Sequence, residues 1–343
     1  MRLPCLILAT LLLASTAPAG ADGAPTDSPE PMPVFVSILP QIGFVEEIGG
    51  DRVDPHVLVE PGQSPHAFEP TPRQVAALSE SRAWFTIGLP FESHLLDRIR
   101  SIRPELDIVD TSAGVPRRVM ARWRGDKEDR SGGEHAGHGH GEGGAAEDHA
   151  GHEHSEHGAP DPHAGHGHGE HGLTDPHTWL DPERAALQAA SIAAGLSEVD
   201  PDHAALYSAN LDRAVDRLNR LDAEVSELLR PFEGRRFYVF HPAFGYFADA
   251  YGLKQVAVQV EGKEPSARDL AALVDRARAE NVRVIFVQPQ FSTKTAEALA
   301  REIDGEVVPI DPLARDYHAN VTAMAEAIAA ALGGEGAIEE KTP

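Results

Sequence analysis

Short apolar runs separated by helix-patterned polar stretches mark out most of this chain. Residues 34–39 (VFVSIL) are apolar at nearly every position and end against Pro40, the pattern of a buried strand. Residues 53–59, 83–87 (AWFTI) and 106–109 repeat it, and residues 42–48 and 92–100 between them read as helices. Thr71, Pro72 and Gln74 open a further helix: a hydroxyl to cap, a proline where no N–H is needed, and a glutamine to reach back. Asp181-Pro182 and Asp200-Pro201 are two more start signals. The first heads an alanine-rich helix running toward Ser197. The second heads a long amphipathic one, with Leu211, Val215, Leu218, Leu221, Val225 and Leu228 at three- and four-residue steps as far as Leu229. Strand patterns resume at 236–240 (RFYVF), 256–260, 282–287 (VRVIFV) and 307–310, with helices predicted over 244–251, 266–280, to about 303, and 319–332.

Strands alternating with helices call for parallel pairing. The predicted fold is α/β: two lobes with parallel sheets, joined by one long helix of roughly 45 Å. The predicted divisions are a signal peptide at 1–21, a disordered tether at 22–33, and an N-terminal lobe over 34–130 that closes with 173–199. A linker helix at 200–231 and a C-terminal lobe over 232–343 complete the chain. Met1-Arg2, the apolar residues 3–13 and the small residues Ala19-Gly20-Ala21 carry the signal-peptide reading, which places the mature protein in the periplasm. The apolar run is too short to span a bilayer.

Composition narrows the chemistry. The 343 residues carry a formal charge of −24, which excludes nucleic acid as a natural partner, because phosphate binding needs a basic face. Cys5 is the sole cysteine and falls inside the leader, so the exported chain has neither disulfide nor thiolate ligand. Metal binding must then rest on His, Asp and Glu. Residues 131–172 hold eleven of the eighteen histidines, spaced by Gly, Ala, Glu and Asp. Without large apolar residues this tract forms no core and reads as a solvated loop, and imidazole beside carboxylate suits borderline divalent metals such as zinc.

Three histidines stand apart from the tract. His66, His177 and His241 lie in proline-flanked loops, read as lying at the carboxyl ends of strands, where open α/β sheets bind their ligands. Asp311 also follows a strand and is the best carboxylate candidate. Three imidazoles and one carboxylate would give Zn²⁺ a tetrahedral shell in the cleft between lobes. His56, His94, His203 and His318 lack this context and read as ordinary surface or capping residues. Phe68, Trp179 and Phe244 read as core, and Glu60 and Glu69 as turn or supporting residues. Proton competition with the metal is expected near about pH 6.5, the ordinary imidazole value.

EPGQSPHAFEPTPRQ, DPHTWLDP, FHPAFGYFADAYGL, EGKEPSARDL and QPQFS resemble the zinc-specific solute-binding proteins of bacterial ABC uptake transporters, the ZnuA-like family. The resemblance runs over about 34–332, interrupted by the histidine tract, which those proteins also carry at that place. It implies two lobes on a rigid helix with metal between them, His66, His177 and His241 as ligands, and Asp311 at the family's carboxylate position. It implies an inner-membrane ABC permease as partner, with the binding protein a monomer and no enzyme. Related manganese binders carry Glu where this chain has His241, and imidazole there favours zinc. Three classes stay open beside a zinc carrier: a periplasmic zinc buffer or chaperone, a carrier of manganese or another divalent metal, and a zinc hydrolase. The hydrolase lacks HExxH and G-x-S-x-G signatures and any obvious general base.

Overall fold

Each strand of the first sheet is followed by a connection that returns the chain to the same end, so all its pairings are parallel. The computed structural model describes residues 30–120, 174–259 and 265–334. The predicted leader, most of the tether and the histidine tract lie outside them, as does Val260. Strands β1 (Met32–Ile38), β2 (Val53–Val59), β3 (Ala83–Thr86) and β4 (Asp107–Asp110) form the first sheet in the order β2-β1-β3-β4. Helices α1 (Leu39–Gly49), α2 (Pro72–Glu80) and α3 (Pro90–Ile102) connect them. β1 begins two residues inside the predicted tether, because Met32 and Pro33 pair with Val53 and Asp54. Pro40 opens α1 at its first turn, where a missing N–H costs nothing.

Residues 111–118 follow β4, and Val119 forms an antiparallel bridge with Thr174. Helix α4 (Pro182–Val199) is capped by Asp181, which accepts from the Glu183 and Arg184 amides. Helix α5 (Ala204–Leu229) is the long connector. It packs on α1 and α4 of the first lobe and on α9 (Tyr317–Gly334) of the second. The second sheet has the order β6-β5-β7-β8, again all parallel, from β5 (Arg236–Val239), β6 (Lys254–Ala257), β7 (Val284–Val287) and β8 (Glu306–Pro309). Helices α6 (Gly245–Ala250), α7 (Ala267–Ala279) and α8 (Lys294–Glu302) connect its strands.

One apolar core runs through both lobes: Phe44 and Ile48 of α1, Leu218 and Leu221 of α5 and Tyr317 to Leu332 of α9 belong to a single buried cluster. Phe44 and Tyr317 meet with ring centroids 4.9 Å apart, and Arg315 pairs with Glu46 outside them. Opening the lobes widely would expose this shared apolar surface, which opposes a wide hinge motion.

Candidate metal centre between the lobes

Both sheets reverse their winding beside the first strand, between β1 and β3 and between β5 and β7, and such points leave a crevice beyond the strand ends. A buried glutamine braces each. Gln41 accepts from the Ser37 and Ile38 amides and donates toward Phe85 O, Thr86 O and Thr111 Oγ1. Gln288 exchanges two hydrogen bonds with the His241 backbone, 3.1 Å to its N and 2.9 Å to its O. His241 thus leaves β5 on a braced loop aimed at the crevice.

His66 reaches the same place from the loop after β2, on a short 3-10 turn at Pro65–Ala67. His177 stands four residues before the Asp181 cap of α4, in the segment after the Val119–Thr174 bridge. Its position differs from the strand-end placement expected of it: a helix N-terminus presents it, not a strand. Candidate ligand atoms of the three histidines lie within 4.8 Å of one another. Ring centroids are 4.7 to 5.5 Å apart, and Nε2 of His66 and Nε2 of His241 are 3.0 Å apart. A cavity of about 20 Å³ opens among them, walled by Trp179, Phe291 and Leu313. That is room for one ion or water.

Two of the three rings are pre-oriented. His177 Nδ1 lies 2.8 Å from Asp175 Oδ1, and the His177 amide donates to the same oxygen at 3.0 Å. His241 Nδ1 lies 2.9 Å from Gln259 Oε1, and Phe291 stacks on its ring at 4.8 Å. Donating from Nδ1 leaves each Nε2 lone pair free to face a cation. His66 differs: it is an exposed residue with its ring turned inward, and among the described residues its ring nitrogens meet only the His241 ring. Burial, and then the nearby His177, lowers the His66 imidazole to about 4. Burial, followed by His177 and His66, lowers that of His241 to about 3. Both are neutral at neutral pH, the form that ligates. Burial pushes the Asp175 carboxyl up, but hydrogen bonds from His177 and Arg118 outweigh it and hold it below its ordinary value.

Asp311 is not brought into the histidine cluster. Its Oδ1 accepts from Gln290 Nε2 and from the Leu313 amide, both at 2.9 Å. It stands behind the cavity wall formed by Gln290, Pro312 and Leu313. Trp179 Nε1 donates to Pro312 O at 2.7 Å and bolts this loop to the one that carries His177. Phe68, Trp179 and Phe244 are all buried, and Phe68 packs edge-on against Phe91. Glu60 closes a turn with Gln63. Sequence reasoning missed Asp175, Gln259, Phe291 and Arg118. Asp175 was within reach, two positions before His177 in TDPHTW; Gln259 gave no local signal.

Two parallel α/β lobes sharing one core, with three convergent imidazoles in the crevice, define a two-lobed metal-binding protein. The chain belongs to the family described as zinc-uptake complex component A, periplasmic, whose model matches residues 34–331. A high-affinity zinc uptake system protein ZnuA from Paracoccus denitrificans is 33% identical over 98% of this chain and all of its own length. The namesake from Brucella abortus is 33% identical over 89% of this chain and 91% of its own. A ZnuA crystal structure superposes with a TM-score of 0.72 at 37% identity, covering 88% of this chain and 99% of its own. A ZnuA deletion variant with zinc bound gives 0.70 at 36%, covering 88% and 98%.

Proposed function

We propose that this protein captures one Zn²⁺ between its lobes and delivers it to the permease of an ABC importer in the inner membrane. The observation that carries the reading is the meeting of His66, His177 and His241, two of them already held with Nε2 free. Three imidazoles from three separate segments suit zinc better than manganese, which prefers oxygen. The zinc-uptake names of relatives matching nearly the full chain support the same cargo and the same partner. We assign no catalysis to the site. Asp311 becomes the fourth ligand when its Oδ1 exchanges Gln290 and the Leu313 amide for the ion. The leader at 1–21 takes the chain to the periplasm, where it acts as a monomer. The histidine tract at 131–172, outside the described residues, adds weak sites that collect zinc.

The His66 ring is the least braced of the three ligands. Among the described residues it is the one ligand ring without a partner for its second nitrogen, and the shared core resists a wide hinge motion. The test is zinc affinity at less than one equivalent, so that only the tightest site fills. His66→Ala, His177→Ala and His241→Ala each weaken it by about 10-fold or more, since each removes a coordinating group. Unchanged tight affinity in all three variants would refute the assignment. A zinc buffer that never meets a permease binds identically; stimulation of zinc uptake by the reconstituted permease separates the two.

A further inference from the structure

Arg118 sits where the site, the second lobe and the root of the histidine tract meet. Its Nη1 donates to Asp175 Oδ2 at 2.9 Å, and the other oxygen of that carboxylate holds His177 Nδ1. Its Nε donates to Asp249 Oδ2, on helix α6 of the C-terminal lobe, at 2.8 Å. Its backbone joins the same junction: the Arg118 amide donates to Tyr246 Oη at 2.9 Å, and Arg118 O accepts from the Asp175 amide at 3.0 Å. Tyr246 Oη in turn donates to Asp175 O at 3.1 Å. The guanidinium also lies over the Tyr246 ring, 5.7 Å from its centroid.

The seat of this guanidinium is made by an absence. A Cβ built on Gly245, the first residue of α6, would overlap the guanidinium outright and come within 2.7 Å of Asp175 Oδ2. Glycine at this position lets the α6 backbone close onto the ion pair. The two carboxylates differ in what they stand to lose. Asp249 is 54% exposed, and a pair of that kind contributes little energy. Asp175 is fully buried, with His177 and Arg118 as its side-chain donors, so losing Arg118 leaves a buried carboxylate half-satisfied and free to turn.

We propose that Arg118 is a positioning residue that couples the hold on zinc to the contact between lobes. It fixes Asp175, and through it the His177 ring, while gripping α6. A displacement of α6 against the first lobe, of the kind a docked permease would impose, withdraws the grip and frees His177 to turn away. The inference rests on the zinc reading above and adds to it a route by which partner contact loosens the ion.

The experiment is a chelator chase of the full-length protein loaded with half an equivalent of Zn²⁺, alongside the visible absorption of the Co²⁺-loaded form. Arg118→Ala should release zinc faster by roughly 10-fold, toward the lower range seen when groups supporting metal ligands are removed. It should also shift the cobalt spectrum, and Arg118→Lys should restore part of both. Gly245→Ala keeps the arginine but fills its seat, and it should give the same faster release even if Arg118→Ala does not fold. The double variant Arg118→Ala/Asp175→Ala should release no faster than Asp175→Ala alone, because the arginine acts through that carboxylate. A lowered melting temperature with an unchanged release rate and cobalt spectrum, or losses that simply add, overturns the proposal. A wild type that holds no zinc overturns the zinc reading along with it; a wild type that holds zinc while neither variant releases faster overturns this inference alone.

Discussion

At the residue scale, the site is built to offer neutral, aimed imidazoles. A ring hydrogen-bonded at Nδ1 has lost most of its rotational freedom before the ion arrives, so binding costs less ordering. Removing that support should therefore cost affinity. Asp175→Ala is expected to weaken zinc binding by about 10- to 100-fold, and Asp175→Asn, which keeps an acceptor, by less; competition against a chelator of known affinity checks both. Equal affinities for wild type and Asp175→Ala would show that the hydrogen bond to His177 is incidental. Burial also alters the response to pH. His241 at about 3 and His66 at about 4 take up protons later than histidine in an unfolded chain, near about 6.5. Between those values the unfolded chain holds more protons, so stability of the zinc-free protein falls as pH drops from about 6.5 toward 4 and 3. Thermal melts at pH 7.5 and 5 should show a larger loss for wild type than for His241→Gln. The same shift moves proton competition with zinc to lower pH than the sequence alone implied, so zinc should be retained at pH 5.5.

At the element scale, the loops are tight because the helices that follow them are well started and closely seated. Gly195 lets α4 lie directly on the first sheet: a Cβ there would meet Val109 Cγ2 at 2.6 Å and Phe85 Cε1 at 3.0 Å. Gly195→Val should destabilise the protein by about 1–3 kcal/mol through overpacking, read as a lower melting temperature, with little change in zinc affinity. A large loss of affinity instead would mean that α4 sets the His177 position more directly than its cap does. This scale is also where the sequence was most legible. The Thr71–Gln74 capping box and the Asp181 cap both formed, because they depend on contacts only two or three residues apart. The face of α5 was legible only in part. Leu218, Leu221 and Val225 are buried as expected, but Leu228 is 38% exposed and Leu229 fully buried. The buried row runs through Tyr207, Asn210 and Ala214, whose polarity or size hid them from a count of large apolar residues. Asn210 is there to donate to Ile48 O at 2.7 Å, a contact 162 residues away that no local pattern reveals.

At the scale of the whole molecule, three histidines far apart in sequence were readable as a group only through the fold they belong to. Their loops looked alike, yet His177 is delivered by a helix start and the others by strand ends. Asp311 was the least legible candidate, since the sequence does not show that Gln290 and the Leu313 amide take up its Oδ1. Trp179 tied to Pro312, Arg118 tied to α6 and the core shared by α1, α5 and α9 make the two lobes one body around the crevice. Among the described residues no helix is long and apolar enough to cross a membrane. Zinc loading should accordingly shift the ligand loops while the backbone of the two sheets changes by no more than about 1 Å. The most direct test is anomalous diffraction at the zinc edge from crystals loaded with one equivalent of Zn²⁺. One strong peak should appear about 2.0–2.1 Å from Nε2 of His66, His177 and His241; a tight-binding zinc located anywhere else, with these three rings left empty, would contradict the account.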